Sequence, residues 1–322
     1  PNAAQMTVRL EEAELVLPYE LERPDKRRSI RLTRLDQAEG VLEFDLVHAE
    51  TALANAIRRI LLAEVPTVAV EKVLLYQNTS VIPDEVLCQR LGLVPLRVDP
   101  RLFRDCPDLR PTEDVESLDP RCVLVFDLDV ECRKRDDGSL EHDRVYSSDF
   151  RWVPIGDQKS LLAGGRSRGG PAPVLPNILL ARLGPGARIH ARMLCVRGIG
   201  QDHAKFMPVA TAFYRLLSDI RLVREVGGEL AERLRACFQP GVISLTEAGL
   251  ATVADPRRDV TCSREALRDP ELRECVELGL VRDHFLFTVE STGCLPPEEL
   301  VRESIKVLML KCRKFLRLLG QE

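Results

Sequence analysis

At 322 residues the chain is long enough for two compact domains, and with 45 % hydrophobic and 30 % charged residues it is too apolar to be disordered. Lys and Arg total 46 against 50 Asp and Glu, a net charge of −4, and aromatics are 5 %, which disfavours a broad basic face for gripping nucleic acid. No apolar run approaches the ~18 residues of a membrane helix, and Pro1–Leu21 lacks the apolar centre of a signal peptide, so a soluble, unsecreted chain with no membrane contact is expected.

Residues 1–28 show little alternation and end in Arg23-Pro-Asp-Lys-Arg-Arg28, the pattern of a flexible lead. Ile30 and Leu32, then Leu42, Phe44 and Leu46, alternate on either side of Glu39-Gly40, which predicts two half-buried antiparallel strands. At Glu50 the period lengthens. Leu53, Ile57, Ile60 and Leu61 recur at helical spacing through Ala63, and Pro66 closes the helix. Asn55, Arg58 and Arg59 fall on a different side of it. A strand rich in Val and Leu is predicted over Thr67–Tyr76, then a short helix over Asp84–Leu91 stopped by Gly92 and Pro95.

Residues 97–121 are rich in proline and charge and read as a loop. Leu124, Phe126, Leu128 and Val130 alternate in a strand over 122–131, and the tract Gly164–Gly170 reads as a surface loop. A further strand is predicted over Ala187–Val196. Residues 227–280 mix short amphipathic pieces with turns and give no clear elements, whereas Phe285, Phe287 and Val289 mark a late strand.

The last element is the plainest helix in the chain. Pro296 and Pro297 suit its first turn, Glu298 and Glu299 the positive end of its dipole, and Lys311, Arg313, Lys314 and Arg317 the negative end; Gly320 closes it. Val301, Ile305, Leu308, Cys312, Phe315 and Leu319 step alternately by four and three, a heptad seam that Met309 and Leu316 widen. Burying six such side chains is worth about 9–18 kcal/mol gross. So apolar a helix demands cover on two sides, from its own sheet and from a second chain.

Catalytic chemistry is hard to assemble. The histidines (48, 142, 190, 203 and 284) form no ligand pair, the ten cysteines show no CxxC spacing, and no GxSxG, Walker loop or dinucleotide fingerprint occurs. Gly198-x-Gly200 lacks the third glycine of a phosphate loop. The cysteines read as reduced, mostly buried fillers, and His190 and His284 as structural. A cysteine-dependent hydrolase pairing Cys294 with His284, or Cys195 with His203, is the rival enzyme reading. No catalytic residue, metal or cofactor is expected.

One string carries more specific information: Asn55-Ala-Ile-Arg58-Arg59, then Ala69, Val73, Asn78-Thr-Ser80 and Asp84-Glu85-x-Leu87-Cys88-x-Arg90-Leu91-Gly92-Leu93-Val94-Pro95. It continues through Val196-Arg-Gly-Ile-Gly-Gln-Asp202-His203-Ala204-Lys205-Phe206 to Ser291-Thr-Gly293. This string resembles the alpha-like subunits of archaeal and eukaryotic RNA polymerases over nearly all of the chain beyond residue 28, with Cys88 standing where Gly or Ala is usual. The polymerase II branch of that family typically carries closely spaced zinc-binding cysteines, and some archaeal members carry iron–sulfur cysteines. Here the comparable stretch holds only Cys106, Cys122 and Cys132. The chain is therefore more similar to the larger alpha-like subunits shared by RNA polymerases I and III, with the polymerase II and archaeal forms as alternatives.

The resemblance implies an α+β fold in two domains. A dimerisation domain of antiparallel sheet and two long helices would be built from residues 29–72 and 207–322, behind the lead 1–28, with a mainly β domain of residues 73–206 inserted. It implies a non-catalytic nuclear subunit, in nucleolus and nucleoplasm, that pairs with a smaller alpha-like subunit and joins the largest and second-largest polymerase subunits. DNA and RNA would be touched only through the complex, in transcription of rRNA, 5S rRNA and tRNA. Leu53, Ile57, Ile60, Leu61, Val301, Ile305, Leu308, Cys312, Phe315 and Leu319 are the expected dimer interface. Asn55, Arg58, Arg59, Arg90, Asp202, His203, Lys205 and Phe206 are the expected large-subunit contact. The competing reading for these charges is that they are solvated or tie down nearby backbone carbonyls.

Overall fold

The computed structural model describes residues 29–36, 38–106, 109, 114, 117–136, 138–163 and 170–320; the lead 1–28 and most of the Gly164–Gly170 tract lie outside the described residues. The main elements are strands β1 (Ser29–Asp36) and β2 (Val41–Val47), helix α1 (Thr51–Ala63), strand β3 (Thr67–Asn78) and helix α2 (Asp84–Gly92). Strands β4 (Val123–Glu131), β5 (Arg151–Val153), β6 (Arg188–Gly198) and β7 (Val209–Leu222) follow. Helix α3 (Gly228–Ala236), strands β8 (Ile243–Leu245), β9 (Ala251–Val253) and β10 (Val276–Ser291), and helix α4 (Pro297–Leu318) complete the series. This is a mixed α+β chain. The predicted strands and helices recur with their ends moved by a few residues, while β7 and the long early part of β10 are additions.

Two four-stranded sheets carry the fold, in the orders β1-β2-β10-β7 and β3-β6-β4-β5. The chain forms two compact units. One holds the described residues to Arg34, Glu43–Asn55 and Phe213–Thr288; the other holds Leu35–Leu42, Ala56–Ala212 and the residues from Val289 onward.

In the first unit the predicted alternation of β2 and β10 buries aromatic faces. Phe44 stacks on Phe287 with ring centroids 4.9 Å apart, and Tyr214 meets Phe285 edge-on at 5.3 Å. The stretch 227–280 builds its own small core from Val226, Leu234, Phe238, Val242, Ile243 and Leu272. Asp45, which the sequence pattern does not flag, is buried among these groups. Arg257 grips both of its carboxylate oxygens at 2.6 Å, and His284 Nε2 lies 2.8 Å from Oδ2.

The second unit centres on β6, antiparallel to both β3 and β4, with Met193 opposite Val73 and Phe126. Leu124, Phe126 and Leu128 of β4 pack with Leu87 and Leu91 of α2, whereas Val123 and Val125 pack with Leu194, Val196 and Phe206. Strand β4 is thus buried on both faces over its first half. Buried Gln158 ties the approach to β4, donating to the carbonyls of Pro120 and Val123 at 2.7 Å each and accepting from Ile155 N–H at 3.1 Å.

Burial alone would raise the Asp45 carboxyl, but the bonds from Arg257 and His284 outweigh it and hold the group below the usual carboxylate range. The stability this contributes is present above the unfolded value of about 3.9 and is lost as pH falls through the lower folded value. Asp45→Asn leaves Arg257 half-satisfied, and denaturant titration at neutral pH is expected to show a loss of about 3–5 kcal/mol. The variant should also show a shallower fall in stability below pH ~4.

Candidate functional site

Helix α4 begins well anchored. Pro297 occupies its first position, Glu298 and Glu299 its first turn, and Leu300, Val301 and Ser304 are buried. Ser304 Oγ donates to the Val301 carbonyl at 2.7 Å. Arg101 pairs with Asp99 at 2.7 Å, with Glu299 at 3.1 Å and with Glu303 at 3.6 Å, fastening the first turns of the helix to the segment after α2.

The far half of α4 is different. Every residue from Met309 to Leu318 is exposed. Among them Leu310 is 61 %, Phe315 51 % and Leu318 76 % accessible, an apolar share well beyond what single surface residues carry. Lys311 reaches Glu64 at 2.6 Å, one of few ties along this stretch. The helix ends where Gly320 turns to a left-handed φ of +67°.

The expected dimer-interface residues divide by burial. Ile57, Ile60, Leu61 and Val301 are covered by the chain itself, Leu53, Ile305, Leu308 and Leu319 are half-buried, and Cys312 and Phe315 are exposed. Sequence periodicity reports which residues share a stripe; it cannot report where along the stripe the chain's own cover stops. Met309, Leu310 and Leu318 belong to the uncovered set for that reason.

The expected polar site divides as well. Arg90 is tied down, its Nε donating to the Leu180 carbonyl at 3.0 Å and its Nη2 to that of Leu179 at 2.7 Å, which fixes α2 against the strand Leu179–Arg182. Asn55 and Arg58 are half-buried and engaged with other groups of the chain, while Arg59 is exposed.

The segment after β6 packs on the end of α1 in a way that requires its glycines. A Cβ on Gly200 would lie 2.3 Å from the Leu62 carbonyl, and one on Gly198 2.6 Å from the Phe206 ring. Gln201 N–H then bonds the Ala63 carbonyl at 2.8 Å, and Thr67 Oγ1 the Phe206 carbonyl at 2.8 Å. The two glycines thus serve close backbone packing. Asp202 and His203 stand exposed on this segment, with His203 Nδ1 accepting from Lys205 N–H at 3.1 Å. Lys205 Nζ pairs with Glu71 at 2.5 Å and sits 5.0 Å over the buried Phe206 ring. A cavity of about 650 Å³ opens beside these groups, with Lys72 and Arg197 in its wall.

The thiols of the hydrolase reading are poorly suited to attack. Burial pushes Cys195 far above the ordinary thiol range and raises Cys294 as well.

Comparison with known proteins bears on these surfaces. Residues 43–312 match the family described as the RNA polymerase Rpb3/Rpb11 dimerisation domain. The chain is 48 % identical over 310 residues to the Homo sapiens protein named DNA-directed RNA polymerases I and III subunit RPAC1, covering 92 % of this chain and 86 % of that protein. The Saccharomyces cerevisiae protein of the same name is 42 % identical over 303 residues, 91 % and 88 % of the two chains. The Dictyostelium discoideum protein named DNA-directed RNA polymerase II subunit rpb3 is 29 % identical over 298 residues, 88 % and 93 % of the two chains.

The two bonds made by Arg90 are internal, so Arg90→Met is expected to lower folding stability by about 1–3 kcal/mol in thermal or denaturant unfolding, without loss of any partner that the wild-type chain retains.

Proposed function

The chain belongs to the RNA polymerase Rpb3/Rpb11 dimerisation-domain family, and on that footing we propose that it is the non-catalytic assembly subunit of DNA-directed RNA polymerases I and III. It pairs with a smaller alpha-like subunit, and the heterodimer holds the largest and second-largest subunits together for transcription of rRNA, 5S rRNA and tRNA. Its place is the nucleus, in the nucleolus with polymerase I and in the nucleoplasm with polymerase III. The names of relatives at 48 % and 42 % identity support this form over that of the polymerase II relative at 29 %.

The observation that carries the proposal is the uncovered end of α4. Withdrawing Met309, Leu310, Phe315, Leu316 and Leu318 from water, each now between 39 % and 76 % exposed, releases roughly 1–1.5 kcal/mol apiece. Part of that offsets the ordering and translational costs of association. Cys312 and Phe315 lie at the centre of this interface and Leu53, Ile305, Leu308 and Leu319 at its edge. Ile57, Ile60, Leu61 and Val301 brace it from below, which suits their burial.

Arg59, Asp202 and His203 form the exposed part of the large-subunit contact; Asn55, Arg58, Lys205 and Phe206 are its half-buried or buried part, and Arg90 serves it only through the internal fold. The domain plan follows the same reading. One sheet draws β1 and β2 from early in the chain and β7 and β10 from late in it, while β3 to β6 make the other. That supports a dimerisation domain of residues 29–72 and 207–322 interrupted by an inserted domain of residues 73–206.

Phe315→Asp places a charge where the partner would desolvate it, and pull-down of the tagged chain from its own cells is expected to lose the small alpha-like chain by more than about tenfold. Arg59→Glu with Asp202→Lys should keep the small chain and lose the two large ones. Undiminished recovery of the small chain with Phe315→Asp would overturn the proposal.

A further inference from the structure

The first unit contains a second built surface that the assembly reading leaves unused. Strands β7 and β10 present Leu216, Ile220, Leu278 and Leu280 to a cavity of about 480 Å³, and the loop after Arg258 walls it. That loop is firmly placed. Arg257 holds Asp45, Arg215 donates to the carbonyls of Arg257 and Asp259, and Val260 N–H bonds Gln239 Oε1 at 3.1 Å.

The wall of the cavity carries an incomplete polar group. Asp259 is 4 % exposed; its Oδ2 accepts from Ser218 Oγ at 2.8 Å, but its Oδ1 is buried with no partner. A carboxylate oxygen withdrawn from water requires a donor; this one is sealed from solvent, while Asp259 is among the residues that line the cavity. At the mouth, Arg264 and Arg282 are both exposed and make no ion pair among the described residues. Cys262 is exposed and also lines the cavity, its Sγ 3.8 Å from Ser218 Oγ, in a left-handed backbone conformation at φ +47°.

An apolar floor and two outer guanidinium groups describe a seat for an acidic peptide segment. We propose that this cavity docks such a segment of a polymerase chain other than the small alpha-like partner. The segment's carboxylate pairs with Arg264 and Arg282, and an apolar side chain covers Leu278 and Leu280. The choice of occupant rests on the proposed function, which assigns the small partner to α4.

Cys262 is a native reporter at the mouth of the cavity. Its alkylation by iodoacetamide is measured in the purified heterodimer and in the assembled polymerase, with the modified residue identified by peptide mass. The proposal expects labelling slowed about tenfold or more in the polymerase. It also expects Arg264→Glu with Arg282→Glu, two surface changes that leave the fold intact, to restore the heterodimer rate while the polymerase still assembles. Equal rates in the two wild-type samples, protection already complete in the heterodimer, or protection indifferent to the arginine changes would overturn it. A chain that recovers no polymerase subunits at all would instead count against the assembly role itself, so the two failures are distinguishable.

Discussion

Apolar surface that the chain cannot withdraw from water is what the rest of this structure turns on. At its start α4 is fixed by buried Leu300 and Val301, by the Ser304 bond and by the Arg101 clamp. Ten residues later the same stripe continues exposed, with none of the described residues closing over it. A free helical end of that length is marginal by itself in water. Leucine, lysine and arginine content favours it intrinsically, and the Lys311–Glu64 pair adds little at its exposure. On the proposed function, coverage by a second chain offsets the cost of this end, and the family to which the chain belongs is described as a dimerisation domain.

The apolar and polar halves of the site depend on different physics. The α4 surface needs area and shape. The segment from Gly198 to Phe206 needs exact backbone approach, since a single methyl group at Gly200 would meet the Leu62 carbonyl. Once docked, the segment holds Asp202 and His203 outward on a frame that does not move with them. Residues expected at the large-subunit contact for their charge turn out to be tied down within the chain. Arg90 bonds two carbonyls, and Lys205 is spent on Glu71 and the Phe206 ring.

Much of this was legible in the residues and some was not, for identifiable reasons. Period-2 and period-3.6 patterns located β2, α1, β3, α2, β4, β6 and α4 because each buries at least one clear face along part of its length. Strand β7 stayed hidden: Arg215, Ser218 and Asp219 interrupt its alternation because they serve buried or paired polar contacts. The stretch 227–280 was opaque because its elements before β10 are three to nine residues long and its core forms only in three dimensions. Asp45 offered no signal at all, since Arg257 and His284 arrive from more than two hundred positions away. The motif string located the polar site as a region, but a one-dimensional pattern could not separate an arginine that bonds its own backbone from one that faces outward.

The uncovered end of α4 can be read directly by amide hydrogen exchange at residues 309–318, comparing the chain alone with the same chain in its native complex. The account predicts rapid exchange in the isolated chain and slowing by about a thousandfold or more in the complex. A monodisperse, isolated chain whose amides at 309–318 are already protected as strongly as those at 300–304 would contradict it.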